Sequence, residues 1–485
     1  MKPICLNSRS FPPSVNNSCQ RAAQGWNDVS FHGSNQIPTP NLDVLASEGI
    51  ILHSYYTMQM CTPSRAALLT GLYPMRTGMQ SSVIYNEEPW GLPLNLKLMS
   101  EHFKDLGYDV HLTGKWHLGF FQTGYTPLRR GFDSFYGLYT GRSDYYDHTS
   151  GAPFFGYLSH IAPHVGGNVN PFQAPEKAVR KFSYIGDKDR SYYAGMVDAL
   201  DESVGAVVEA LNRTGMLNDT IIVFSSDNGA DLHGKHLTGA SSWPLRGCKA
   251  TLWEGGLRAP GFVWSTRLKR RRRVWRQLMH IVDWLPTLYS AAGGSVSHLG
   301  PIDGFDMWHA LSDDTECPRR EILHNVNPLS RDMALRVGRY KLLVQAPRNE
   351  TFIAYRKDRR HPPKGMSRPR DDLTRLRAAS RTAKVFRPLY GPLHCETDKD
   401  WTQEATVNCG PAASMGPPGK APYLFDIERD PCETRNMAGS QKQLLRSLYK
   451  RLSTYVSQMV PPRTRPEDPR SYPENFGGVW SPWLD

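Results

Sequence analysis

Three short runs carry residue types at spacings that could do chemistry on an anion. The first is Cys61-Thr62-Pro63-Ser64-Arg65, continued by Ala-Ala-Leu-Leu-Thr-Gly71. Pro63 suits the first turn of a helix, Thr62 can cap it and Gly71 can end it, so Cys61 falls where free N–H groups and the helix dipole favour negative charge. The second is Gly114-Lys115-Trp116-His117-Leu118-Gly119, whose lysine and histidine could meet an anion. The third is Ser225-Ser226-Asp227-Asn228-Gly229, where one carboxylate beside one amide oxygen suits a hard cation such as Ca2+. Each run alone also has an ordinary structural reading: a cysteine before a helix, a snorkelling lysine with a packed histidine, and an Asp-Asn-Gly turn.

A parallel sheet would bring these runs together. Leu96, Met99, Phe103 and Leu106 recur at helical spacing before Gly107, and residues 108–113 then read as a strand ending at Gly114. Residues 192–211 carry a second helical pattern, Gly215 interrupts it, and residues 220–224 form an apolar β-branched run of the buried kind. Both strands would deliver their polar runs at carboxyl ends, where open α/β sheets collect ligands. The fold expected is therefore a doubly wound α/β domain. After about Leu329 the pattern changes to short segments at 334–344 and 423–427 and a helix near 441–459, read as a smaller α+β domain with a Pro-rich tail.

Taken in order, the three runs resemble the sulfatase family, in which the cysteine of C-x-P-S-R is oxidised to formylglycine. The resemblance extends to Pro38-Thr39-Pro40-Asn41-Leu42-Asp43, Gly71-Leu72-Tyr73-Pro74-x-Arg76-Thr77-Gly78, Trp243-Pro244-Leu245-Arg246-Gly247-Cys248-Lys249, Trp253-Glu254-Gly255-Gly256-x-Arg258 and Asp283-Trp284-Leu285-Pro286-Thr287. It covers nearly everything from Gly25 to Asp485, and the tail, with Pro469-Arg470-Ser471 and Gly477-Gly478-Val479-Trp480-x-Pro482-Trp483, looks most like the arylsulfatase B group of N-acetylgalactosamine-4-sulfatases. It implies an alkaline-phosphatase-like doubly wound mixed sheet over residues 25–329, a smaller C-terminal α+β domain over 330–485, and an atypical segment at 1–24. It implies a sulfuric ester hydrolase acting on sulfated sugars, glycosaminoglycans or small sulfate esters.

Carried over residue by residue, the resemblance makes Cys61 the formylglycine nucleophile, produced by the formylglycine-generating enzyme. Arg65 would steady the formylglycine oxygens, and Lys115 and Lys249 would hold the sulfate oxygens. His117 would assist deprotonation during sulfate release. His164 would protonate the departing sugar oxygen, with His160 as the alternative register. Asp227 and Asn228 would join Cys61 on a calcium ion.

Two departures from the family pattern stand out. The family carries an apolar strand and a calcium-binding Asp-Asp pair before the x-Gly-Trp that matches Gln24-Gly25-Trp26, whereas this chain has Ala22-Ala23. Residues 1–24 show no apolar β run, and Pro12-Pro13 would break one in a central strand. Weak calcium binding and little or no activity are the expectation. The second departure is that Asp144-Tyr-Tyr-Asp-His148 nearly joins Pro153-Phe154, where the family has several tens of residues. Parallel strands need a crossover of about a dozen or more residues, so this junction bears on local sheet order and on the place of His164.

Composition narrows the function classes. Lys and Arg number 58 against 46 for Asp and Glu, and the surplus of +12 favours a polyanionic partner such as nucleic acid, anionic lipid or sulfated glycan. Part of it sits in residues 267–276, RLKRRRRVWR, and in a basic stretch at 356–387, both read as solvated loops because no nucleic-acid motif accompanies them. No nucleic-acid partner is expected. No apolar run approaches the length of a membrane span. Cys317, Cys395, Cys409 and Cys432 fall late in the chain with their connectivity open, and N-x-S/T sequons begin at Asn16, Asn212, Asn218 and Asn349. These lean toward the secretory route, while the N-terminus has no apolar run of signal-peptide length. The family resemblance implies a lysosomal or extracellular location. The alternative function is a pseudoenzyme that binds sulfated glycans without hydrolysing them.

Overall fold

The computed structural model describes residues 18–21, 24–140, 156–164, 172–231, 239–344, 366–398, 400–410 and 420–485. Eight strands form the main sheet: β1 (Ser18–Arg21), β2 (Ile50–Leu52), β4 (His111–Lys115), β5 (Ser134–Leu138), β6 (Gly156–His160), β7 (Ile222–Ser226), β8 (Gly261–Trp264) and β9 (Arg273–Trp275). Their order is β5-β4-β6-β1-β7-β8-β2-β9, parallel throughout except at β8, which runs antiparallel to both neighbours. A short parallel pair, β3 (Tyr55–Tyr56) with β10 (Met279–His280), lies beside it.

The apolar run after Gly215 shows why the sheet is covered on both sides. Ile221 and Val223 enter one core cluster and Ile222 and Phe224 another, as period-two side chains must when both faces are buried. The first face carries the helices Cys61–Thr70, Met99–Asp105 and Trp284–Ala291, and the second carries Pro40–Glu48, Lys188–Arg213 and Arg381–Tyr390. This is the doubly wound mixed sheet expected, with alkaline-phosphatase-like architecture.

One expectation is overturned at the N-terminus. Ser18–Arg21, a run with no apolar pattern, forms β1 in the middle of the sheet, paired with β6 on one side and β7 on the other. Two parallel strands with unsatisfied inner edges supply main-chain partners to whatever segment lies between them, and that ladder does not depend on an apolar sequence. Residues 1–17, including Pro12-Pro13, and the Ala22-Ala23 pair lie outside the described residues. At the second departure, β6 follows β5 in sequence and pairs with β4, in register from His111–Gly156 to Gly114–Ser159. The junction itself lies outside the described residues.

A second, antiparallel sheet follows in sequence order: β11 (Glu321–Val326), β12 (Met333–Val337), β13 (Tyr340–Leu343) and β14 (Tyr423–Asp426). Lys341 on β13 is fully buried between Glu254 (3.0 Å) and Glu433 (2.8 Å), and so fastens this sheet to the loop that follows Lys249. The tail returns over the first body, with main-chain bonds from Val460 to Met75, Arg463 to Gly78 and Trp483 to Phe121. Of the four late cysteines, Cys409 and Cys432 form a disulfide, while Cys317 and Cys395 are buried thiols. No helix of the described residues is long and apolar enough to cross a membrane.

Candidate active site

Cys61 opens the helix Cys61–Thr70 and is 1% exposed, with its Sγ 3.4 Å from Asn228 Oδ1. The helix begins two residues earlier than the cap assignment expected. Met60 is the N-cap, and Thr62, within the first turn, instead donates from Oγ1 to the carbonyl of His117 (3.0 Å) and accepts from Ile84 N–H. Ser64 Oγ donates to the carbonyl of Asp227. The first helical turn is thereby tied to both other sequence runs. Gly71 ends the helix at φ +66°, as expected.

Arg65 is the post around which the site is assembled. Its side chain is wholly buried, Nη1 donates to the Lys115 carbonyl (2.7 Å) and to Ser159 Oγ, and Nη2 pairs with Asp227 Oδ2 at 3.0 Å. One guanidinium thus joins the ends of β4, β6 and β7 to the helix that bears Cys61. Gly114 permits this convergence: it sits at φ +106°, and a Cβ there would lie 2.0 Å from the Ser159 carbonyl oxygen.

Lys115 is fully buried at the end of β4, and its ammonium has no hydrogen-bond partner among the described residues. Burial draws its pKa down to about 8, while the charges of Cys61 and Asp227 pull it up and those of Arg65 and Lys249 press it down. His117, at φ +62°, donates from Nε2 to the Ile84 carbonyl (2.9 Å), which leaves Nδ1 as a lone pair without a partner among the described residues. Burial, reinforced by Lys115 and Arg65, holds the imidazole well below its ordinary pKa. His164, rather than His160, meets Lys249: Lys249 Nζ donates to His164 Nε2 and to Asp231 Oδ2, each at 3.1 Å. Burial opposes the charge on Lys249, but Asp231 outweighs it and raises the pKa.

The structure therefore brings Cys61, Arg65, Lys115, His117, Asp227 and Asn228 into one buried cluster, with Lys249 and His164 coupled to Lys115 and His117 by charge. Sequence reasoning missed Ser159, which orients Arg65, and Asp231, which holds Lys249. A carboxylate four residues beyond Asp227 was the available signal for the latter. The donor set does not make a calcium cage. Ca2+ takes about six to eight oxygens, whereas the predicted ligands offer one carboxylate, already paired with Arg65, and one amide oxygen. No group of three or more His, Cys, Asp or Glu side chains suited to a metal exists among the described residues, and Ala22-Ala23 bring no side-chain oxygen.

The chain is similar to known proteins in sequence and fold. The family model "Sulfatase" matches residues 23–152 and 147–295. Arylsulfatase J of Mus musculus is 34% identical over 95% of this chain and 78% of its own length. N-acetylgalactosamine-6-sulfatase of the same species is 30% identical over 65% of this chain and 69% of its own. The crystal structure of Ps i-CgsB superposes with a TM-score of 0.70 at 25% identity, covering 93% of this chain and 94% of that one. The structure of BT4656 in complex with its substrate D-glucosamine-2-N,6-O-disulfate superposes with a TM-score of 0.59 at 16% identity, covering 93% of this chain and 99% of that one, a likeness of fold.

Proposed function

This chain belongs to the sulfatase family, and from that premise we propose that its site hydrolyses sulfate monoesters of sugars at Cys61. The observation that carries this reading is the buried Lys115 ammonium, without a hydrogen-bond partner among the described residues and within Coulomb range of Cys61, Arg65 and Lys249. A buried cation that lacks a counter-charge costs several kcal/mol, and the negatively charged sulfate group of a sugar ester is the ligand that would repay it.

Formylglycine suits position 61, where C-x-P-S-R is intact and the side chain lies at a helix start among cations; once hydrated it supplies two hydroxyls on one carbon, one to attack sulfur and one to expel sulfate. Arg65 fixes the Cys61 helix against Asp227. Lys115 and Lys249 take the sulfate oxygens and oppose the charge that grows on them in the transition state. His117 Nδ1, kept as a free base by burial, receives the proton given up at residue 61 during release. In the resting arrangement His164 Nε2 accepts from Lys249. When a sulfate oxygen takes that donation, the nitrogen is free to carry a proton to the departing sugar oxygen. No step is assigned to calcium, because the residues present do not fit it, and turnover by the chain as it stands is expected to be low for that reason.

The substrates we assign are sulfated amino sugars of glycosaminoglycans, as for the arylsulfatase B group, and the domain division we assign is 25–329 and 330–485. A lysosomal or extracellular location, with modification by the formylglycine-generating enzyme on the way, is supported by the Cys409–Cys432 disulfide. The relatives give no support to a glycan binder without turnover. Peptide mass spectrometry of secreted chain tests the reading: an aldehyde at residue 61 is expected, and an unmodified thiol in properly secreted material would defeat it.

A further inference from the structure

Away from the Cys61 cluster, a cavity of about 390 Å3 is lined by Arg258, Arg276, Arg336 and His53 together with Asn408 and one carboxylate, Glu428. Arg258 and Arg336 are 2% and 3% exposed, while Arg276 is exposed. Their charges are poorly balanced. The nearest carboxylate to Arg258 is Glu254 at 3.8 Å, itself engaged by Lys341 at 3.0 Å and by Tyr56 Oη. No carboxylate of the described residues lies within 4.0 Å of Arg336 or Arg276, and Glu428 leans toward Arg339 at 3.9 Å. A larger cavity, beside Tyr455, offers the contrast. All four arginines that line it, Arg76, Arg319, Arg320 and Arg451, pair with carboxylates.

Each of the three guanidiniums is held in place by part of its donor set. Arg258 donates from Nε to the His53 carbonyl and from Nη2 to the His53 ring (2.8 Å to Nδ1), Arg336 from Nε to the Gly338 carbonyl and from Nη1 to Tyr56 Oη, and Arg276 from Nη2 to the Glu404 carbonyl. Arg336 Nη2 has no hydrogen bond to any described residue. Forks fixed in this way present their remaining N–H groups to an oxyanion without further ordering. Burial and then Arg258 and Arg276 keep His53 uncharged, so it can accept as well as donate. The cavity opens beside the carboxyl end of β2. Because β8 is antiparallel to both β7 and β2, β2 points the same way as β7, which leads into Asp227. The arginine cavity and the Cys61 cluster therefore share one edge of the sheet.

We propose that the Arg258–Arg276–Arg336 cavity is a second oxyanion site, which holds a sulfate group of an acidic glycan while another sulfate occupies the Cys61 cluster. The inference rests on the sulfated-sugar reading for the identity of the glycan, and on the arginines alone for the class of ligand. Titration of a disulfated glycosaminoglycan tetrasaccharide, its desulfated counterpart and a small aryl sulfate into the full secreted chain tests it. Arg276→Glu, at an exposed position, should weaken the disulfated tetrasaccharide by about tenfold or more at low salt and leave the aryl sulfate unchanged. The desulfated compound should bind weakly to parent and variant alike. Lys249→Ala should lose the aryl sulfate. Equal tetrasaccharide affinity in parent and Arg276→Glu would overturn the second site, as would equal binding of sulfated and desulfated compounds. Loss of aryl-sulfate binding from the parent itself would overturn the Cys61 reading and leave the arginine site to be judged by the tetrasaccharide.

Discussion

Lys115→Met separates a residue kept for anion binding from one that completes the core. The methionine fills the space of the lysine stem and removes only the charge. Burial lowers the folded pKa from 10.5 to about 8, and a difference of that size is worth about 3 kcal/mol when the amine is charged. Unfolded lysine keeps its proton to about pH 10.4, whereas the folded one begins to lose it near 8. The penalty is therefore complete below about pH 8 and fades as pH rises toward 10.5. Lys115→Met should accordingly be more stable than the parent at pH 7 by up to about 3 kcal/mol, with the advantage vanishing near pH 10.5. Guanidinium unfolding midpoints at the two pH values measure this. Inorganic sulfate should raise the midpoint of the parent and not of the variant, and in an Ala22→Asp/Ala23→Asp background sulfate-ester turnover should fall by about a hundredfold or more. A variant less stable than the parent at pH 7, by an amount that does not change with pH, would refute the reasoning.

Arg65→Ala should cost about 3–5 kcal/mol, because it takes the guanidinium away from the wholly buried Asp227 carboxylate; a denaturation midpoint close to the parent's would contradict the assembling role given to Arg65. His324 is buried with neither ring nitrogen partnered among the described residues, and burial, followed by the charge of Lys341, holds it well below its ordinary pKa. Unfolded histidine takes up a proton below about pH 6.5 and the buried one does not, so His324 withdraws about 1.4 kcal/mol of stability per pH unit as pH falls through that range. His324→Phe should flatten the acid limb of the stability curve by that slope, and an unchanged limb would exclude the assignment.

The chemistry of the site was legible because its residues stand beside punctuation the chain cannot avoid. Cys61 precedes a proline and a helix, and Lys115 and Asp227 end runs whose apolar residues reveal a buried strand. The strand of residues 220–224 and the helix of 192–211 are found as Ile222–Ser226 and Lys188–Arg213, so the parallel core was readable from period and composition. β1 was not, since Ser-Cys-Gln-Arg carries neither period, and its place between β6 and β7 comes from main-chain pairing with strands far along the chain. Ser159 and Asp231 escaped for a related reason. Their roles exist only relative to Arg65 and Lys249, which lie ninety-four and eighteen residues away. The arginine cavity likewise draws on β2, the Trp253–Arg258 motif, β9 and β12, and no local pattern announces it.

The central claim is the proposal that this chain carries a sulfate-ester site at Cys61 with too few carboxylates among the described residues to hold calcium. The turnover of a chromogenic aryl sulfate in the presence of calcium, by secreted chain in which mass spectrometry has shown formylglycine at residue 61, tests it when the parent is set beside Ala22→Asp/Ala23→Asp. The account predicts near-zero turnover in the parent and calcium-dependent turnover in the double variant. Full turnover in the parent would contradict the metal argument, and absence of turnover from a double variant that binds calcium would contradict the assignment of the site.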